Sequence, residues 1–259
     1  MNNNDSRVYR QKLGFTNQTK LKSFFDSKDI IRDVDYGYLD QLNKRLEDII
    51  RSLDSAVIDD IKVANVEEFI QENVYNVYNY MKDNGLLYKF QNNKQRQLER
   101  SYYDWSRGRV IANYFIKAMS LIFDVEENEI QTIGMDNLDN PDTFNKAATA
   151  DFEIKTHEGK IYRIEFQCGF QGVNDIKEHK VVEAKKVFLQ SEVRSLIIHV
   201  DLFNGNTAFV DISEIDDENI NWETRTQFEG KKVFHIDEKY FIWDLNSYPP
   251  SINEIVGGE

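Results

Sequence analysis

A mixed α/β fold, with a central sheet flanked by helices and a helical N-terminal region, is the architecture this sequence predicts. Three observations carry it. Apolar residues recur at helical spacing in several segments before residue 123; DFEIK and KIYRIEFQC alternate with a period of two; and an amphipathic helix separates that alternating pair from the nearly continuous apolar run SLIIHVDLF. Strand, helix crossover and strand in that order imply a parallel pair inside the sheet.

The bulk composition agrees. The 259 residues include 17 Phe, 13 Tyr and 3 Trp among 41% hydrophobic residues, enough to fill a sizeable core. One cysteine, Cys168, excludes an intramolecular disulfide and a multi-cysteine zinc site. The four histidines (His157, His179, His199, His235) lack HExxH or HxxxH spacing, which disfavours a histidine-built zinc centre. With no apolar leader in MNNNDSRVYRQK and no long apolar run, the sequence reads as cytoplasmic, with no membrane partner. Net charge is −13, which argues against indiscriminate coating of nucleic acid. The charge is uneven, however: Leu86 to Val110 is basic, with Lys89, Lys94, Arg96, Arg100, Arg107 and Arg109, while 211–259 is acidic.

Taken in order, Leu39 to Val57 predicts a helix with Leu42, Leu46, Ile49, Ile50 and Leu53 on one face, and Val66 to Lys82 a second, stopped at Gly85. Leu98 to Phe123 predicts a long buried helix, with Arg107-Gly108-Arg109 as its expected interruption. Asp124 to Ala150 is acidic and turn-rich and reads as a surface loop. Asp151 to Lys155 and Lys160 to Cys168 form a hairpin across Thr156-His157-Glu158-Gly159. On its second strand Tyr162, Ile164, Phe166 and Cys168 share one face, and Ile161, Arg163, Glu165 and Gln167 the other. A glycine-containing loop leads to a helix over 176–190, then the central strand, a turn at Asn204-Gly205-Asn206, and TAFVDISEI. The tail mixes short strand-like pieces (KKVFHI, YFIWDL) with turns. The expected organisation is a mainly helical region over 1–97 for dimerisation or DNA contact, a core over 98–215, and an acidic extension over 216–259 packed on it.

The hairpin carries the chemistry. Asp151 stands at the start of its first strand, and Glu165 and Gln167 near the same end of its second. Hard divalent cations take oxygen ligands and retain several waters, so Asp151, Glu165 and the backbone carbonyl of Phe166 suffice for Mg²⁺. An ion there clamps a phosphodiester oxygen and activates water. An ordinary strand with a solvated polar face and a turn aspartate is the bland alternative.

An aspartate, a hairpin, an acid-x-lysine on the next strand, then helix and strand resembles the PD-(D/E)xK nuclease core of restriction endonucleases and several repair and recombination nucleases. The resemblance covers about Leu98 to Ile215, with Asp151 as the aspartate, Glu165 as the acid and Gln167 where lysine is usual. Ala150 replaces the proline; the literal Pro141-Asp142 lies upstream, in the expected loop, and reads as a decoy. Some restriction enzymes of this family carry Glu-x-Gln. The resemblance implies a restriction-endonuclease-like fold, catalytic Asp151, Glu165 and Gln167, and a Mg²⁺-dependent Type II site-specific deoxyribonuclease leaving 5′-phosphate and 3′-hydroxyl ends. It also implies double-stranded DNA as substrate, a homodimer, and a cognate DNA methyltransferase as genetic partner. Glutamine is neutral and can only orient water by hydrogen bonds, so a cation must come from elsewhere: Lys177 or Lys180 on the next helix, or Lys155.

Other candidates are auxiliary. Glu99 is either a further carboxylate for the site or a solvated partner of Arg96 or Arg100. Arg107 and Arg109 suit phosphate or guanine contacts, and Gln171 and Asn174 base edges. Trp105, Trp222 and Trp243 read as core. A structure-specific repair or recombination nuclease is the alternative within enzymes, and a non-catalytic acidic protein binding a basic partner the alternative outside them.

Overall fold

The computed structural model describes residues 3–27, 33–92, 97–133, 150–170, 172–216, 220–225 and 230–257. Met1–Tyr36 form one compact unit and Gly37–Glu259 another. In the first, helices α1 (Asn3–Leu13) and α2 (Gln18–Phe25) flank a turn. The Asn17 side chain starts α2 by accepting from the Thr19 N–H at 2.7 Å, and the Phe15 and Phe24 rings lie 5.1 Å apart.

The second unit holds the remaining helices and both sheets, so the segments expected as 1–97, 98–215 and 216–259 are joined within it from residue 37 onwards. Helix α3 (Tyr36–Ala56) buries Leu39, Leu42, Leu46, Ile50 and Leu53, the face its spacing predicts. The helix expected from Val66 is divided into α4 (Val66–Ile70), a wider π turn (Gln71–Asn76) and α5 (Val77–Asp83). That turn directs Asn73 toward α6 (Leu98–Tyr114): its carbonyl accepts from Arg109 at 3.4 Å and its side chain from Asn113 at 2.9 Å.

Helix α6 runs unbroken through Arg107-Gly108-Arg109, contrary to the expected interruption. Gly108 is exposed with open space where a Cβ would stand, so its cost of about 1 kcal/mol is outweighed by burial of Tyr102, Ser106, Val110, Ile111 and Tyr114 on the same helix. The break falls at Phe115, followed by α7 (Ile116–Phe123), which ends at left-handed Asp124. The expected loop after Asp124 instead contains a 3-10 turn (Glu127–Glu129) and strand β1 (Gln131–Thr132). Pro141-Asp142 lies outside the described residues.

Strands β2 (Phe152–Lys155) and β3 (Ile161–Gly169) form the expected hairpin, with Phe152 opposite Ile164 and Lys155 opposite Ile161. The segment expected as the start of a helix gives first a short strand, β4 (Asp175–Lys177), and then α8 (Glu178–Ser191). Strands β5 (Arg194–Asp201) and β6 (Asn206–Asp211) follow. The acidic tail contributes β7 (Glu223–Arg225), β8 (Lys231–His235), β9 (Phe241–Asp244) and α9 (Ile252–Val256). This tail completes both sheets. The six-stranded sheet runs β1-β2-β3-β5-β6-β9 and the three-stranded one β4-β8-β7. In the large sheet β3 and β5 are parallel, joined through β4 and α8, and its other pairs are antiparallel.

The alternation of β3 decides what covers each face. Tyr162, Ile164 and Phe166 are buried on the side of α6 and α7, where Phe115 stacks on Phe166 and Phe123 meets Tyr162, both at 5.3 Å. On the other side Ile197, Ala208 and Val210 pack with Val181 and Ala184 of α8 and with Ile176, Phe234 and Ile236 at the small sheet. Glu165 and Gln167 belong to this second side. Trp105 rests against Phe90 and Tyr102, Trp222 against Phe234 and Trp243 against Phe209, so all three tryptophans pack against other rings. Among the described residues no helix is long and apolar enough to cross a membrane.

Candidate active site

The hairpin ladder ends in a register shift at Asp151. The Asp151 N–H donates to the Ile164 carbonyl at 2.9 Å, one step out of phase with the Phe152–Ile164 pair, so the chain shifts by one residue where β2 begins. In place of a continued backbone ladder, Asp151 Oδ2 accepts the Phe166 N–H at 2.8 Å. The carboxylate is thereby pinned beside the Glu165–Phe166 peptide. A strand residue that exchanges bonds with a neighbour points its N–H and its C=O to the same edge. The Phe166 carbonyl therefore heads for the edge where Asp151 stands.

Glu165 points to the opposite face from Phe166 and meets α8. Lys180, in the first turn of that helix, donates to Glu165 Oε2 at 2.8 Å, and both side chains are only 18% exposed. A half-buried ion pair is screened less than a surface one. Of the lysines expected to supply the missing cation, Lys180 is the one bonded to the candidate acid. Lys177 is on β4. Lys155 is exposed at the far end of β2, four residues or roughly 13 Å of strand from Asp151.

Gln167 lies two residues beyond Glu165 on the same face, beside His199 of β5. His199 is 3% exposed, and its Nε2 lies 2.8 Å from Asn174 Oδ1; that oxygen only accepts, so Nε2 carries the proton. A Cβ on Gly169 would come within 3.1 Å of the same ring nitrogen, so glycine is what lets β3 pass this close. Asn174 also gives its carbonyl to Ile236 N–H at 2.7 Å. Both its groups therefore tie the strand end to the small sheet.

Burial, the largest influence, pushes the His199 pKa down to about 4, against the opposing pull of Asp201 and Asp175. An unfolded histidine titrates near 6.5, so between these values the unfolded state binds the extra proton. Stability supplied by the neutral ring is complete above pH 6.5 and is lost as pH falls toward 4, by roughly 3 kcal/mol for a shift of this size. Thermal melts from pH 7.5 to 4 should show that decline in the natural protein and a flatter one in His199→Gln. Parallel declines would remove this account.

The remaining candidates disperse. Glu99 is not solvated: it is 2% exposed on α6, the helix covering the Phe166 face. It lies eight residues, about 12 Å along the axis, before Arg107, which already meets the end of β3 at Phe170. Arg107 stacks over Tyr103 at 5.4 Å and Phe170 at 5.0 Å and pairs with Asp104 at 3.3 Å. Arg109 turns instead to the Asn73 carbonyl. Gln171 and Arg96 lie outside the described residues.

One cluster near the site had no signal in the sequence. The Asp175 side chain is fully buried at the start of β4, 3.2 Å from His235 Nδ1 and 2.9 Å from Arg225 Nε. Its partners are 50 and 60 residues away, so only the pairing of β4, β8 and β7 brings them together.

Asp151 bonds the Phe166 N–H and Glu165 bonds Lys180, so the hairpin brings two carboxylates to neighbouring positions on its strands. Among the described residues no group of three or more His, Cys, Asp or Glu is gathered for a metal. Set against known protein families, curated proteins and solved structures, the chain matches none of them.

Proposed function

We propose that this chain is a Mg²⁺-dependent endodeoxyribonuclease with a PD-(D/E)xK-type core, acting on double-stranded DNA as a Type II restriction enzyme. The observation that carries the reading is the fixing of Asp151 against the Glu165–Phe166 peptide, with Lys180 bonded to Glu165. The order of helix, strands β1, β2 and β3 of one sheet, a crossover through β4 and α8, and parallel β5 supports it.

In this reading Asp151, Glu165 and the Phe166 carbonyl hold the ion. When bound, Mg²⁺ supplies Lewis-acid chemistry at a phosphoryl oxygen and at water. Lys180 places a positive charge beside Glu165, where the strand itself carries only the neutral Gln167. The Gln167 amide orients the attacking water by hydrogen bonds. Attack in line on phosphorus, with departure of the 3′ oxygen, leaves 5′-phosphate and 3′-hydroxyl ends. A homodimer applies the same site to both strands of a palindrome, and a cognate DNA methyltransferase protects the host genome.

Plasmid DNA incubated with the protein should give discrete fragments in Mg²⁺ and none in EDTA. A smear in Mg²⁺ would keep the hydrolysis and remove the sequence specificity. Unchanged plasmid at protein excess, across Mg²⁺ and Mn²⁺, would remove the nuclease reading.

A further inference from the structure

A basic row stands beside the candidate site in a chain whose total charge is −13. Strand β4 ends at Lys177, opposite Val233 of antiparallel β8. Carried forward, that register brings Glu178 to Lys232 and His179 to Lys231. The 3.4 Å ion pair between Lys232 and Glu178 shows that the alignment persists past the end of the strand. Lys180 follows one residue later and bonds Glu165. A line from Lys231 through His179 and Lys180 thus arrives at the acid of the site.

We propose that Lys177, His179 and Lys231 form a rim that grips the backbone phosphates of one strand of a DNA duplex and leads that strand to Asp151 and Glu165. The inference rests on the nuclease reading and adds to it the path of the substrate. Charge bears on it: His179 has its pKa lowered first by desolvation, then by Lys180, Lys177 and Lys231, with Glu165 opposing, so its ring serves the rim as a neutral hydrogen-bond donor among the lysine charges. All four charges are close enough for one ring to feel. Clustered cations repel one another, and a polyanion offsets that repulsion where water alone does not. Shape supports it too. His179 and Lys231 are exposed on an open surface, so the row suits an extended chain of phosphates better than one small enclosed anion. Lys231 stands on β8, about 4.8 Å across from β4, while His179 is in the first turn of α8, so the groups come from adjoining elements.

The test uses the full chain, a fluorescently labelled duplex of 30 base pairs, and EDTA to prevent cleavage. Anisotropy titrations over a series of salt concentrations give the slope of log K against log [salt], about 0.9 for each phosphate contact. Lys177→Ala with Lys231→Ala should reduce that slope by about 2, Lys231→Arg should restore one contact when combined with Lys177→Ala, and Lys62→Ala in the helical part should leave it unchanged. Circular dichroism checks that each variant is folded. An unaltered slope in the double variant, with Mg²⁺-dependent plasmid cleavage intact in the natural protein, would overturn the rim and leave the nuclease reading standing. A natural protein that neither binds the duplex nor cuts plasmid would overturn both.

Discussion

Asp151→Ala is expected to abolish Mg²⁺-dependent plasmid cleavage and to destabilise the protein, whereas Asp151→Asn should abolish cleavage and leave stability close to that of the natural chain. The difference follows from the two duties of one carboxylate. Oδ2 accepts the Phe166 N–H at 2.8 Å, at a point where the β2 ladder no longer supplies a backbone acceptor. Alanine leaves that donor without its partner, which costs about 1.5–3 kcal/mol for a hydrogen bond to a charged acceptor. Asparagine retains a carbonyl oxygen for it and loses only the charge, yet that charge is what a divalent ion requires. Urea unfolding separates the stability effects, and plasmid cleavage at protein excess reads the activity. Natural-level cleavage by Asp151→Ala would end the assignment, because no other described carboxylate is pinned against the Glu165–Phe166 peptide.

The hairpin that carries Asp151 and Glu165 was legible because a hairpin is a local object. A short turn between two alternating strands pairs them antiparallel, with Lys155 opposite Ile161 and Phe152 opposite Ile164, which brings the start of β2 beside Glu165 and Phe166 with no knowledge of the rest of the fold. The central strand Arg194–Asp201 was legible for a related reason, since burial on both faces leaves a run without polar interruption. Glu99 and Arg109 were not. A helix pattern shows which residues share a face but not which side of the sheet that face will meet, and α6 went to the Phe166 side with Glu99 buried beneath it. Gly108 was misread because propensity is local and weak, whereas the buried face of α6 is extensive. Strand β4 is three residues long and has no period of its own; partners far along the chain, Arg225 and His235, define it. Lys180 was one of three cations that sequence alone left equal. The crossover of α8 between β3 and β5 is what selects it.

That selection makes Lys180 the second large prediction. Lys180→Ala should slow cleavage by about 10²–10³-fold, the range for losing one preorganised group that stabilises developing charge. Its effect on stability should be small, about 1 kcal/mol, because the Glu165 pair is only partly withdrawn from water. Gln167→Lys supplies the decisive partner variant. Position 167 lies two residues from Glu165 on the same face of β3, so a lysine there places its ammonium beside the same carboxylate from the strand instead of the helix. Added to the natural chain it crowds two cations against Glu165, and cleavage should persist with an altered preference between Mg²⁺ and Mn²⁺. Added to Lys180→Ala it should recover most of the lost rate, a non-additive result that a purely structural lysine would not give. The comparison is single-turnover cleavage of one plasmid by the natural chain, both single variants and the double variant. If Lys180→Ala cuts at the natural rate, the helix does not replace the strand lysine and Gln167 must act without a neighbouring charge. If it is slow and Gln167→Lys fails to restore it in a folded double variant, Lys180 acts by holding Glu165 in place, not by its charge at the phosphate.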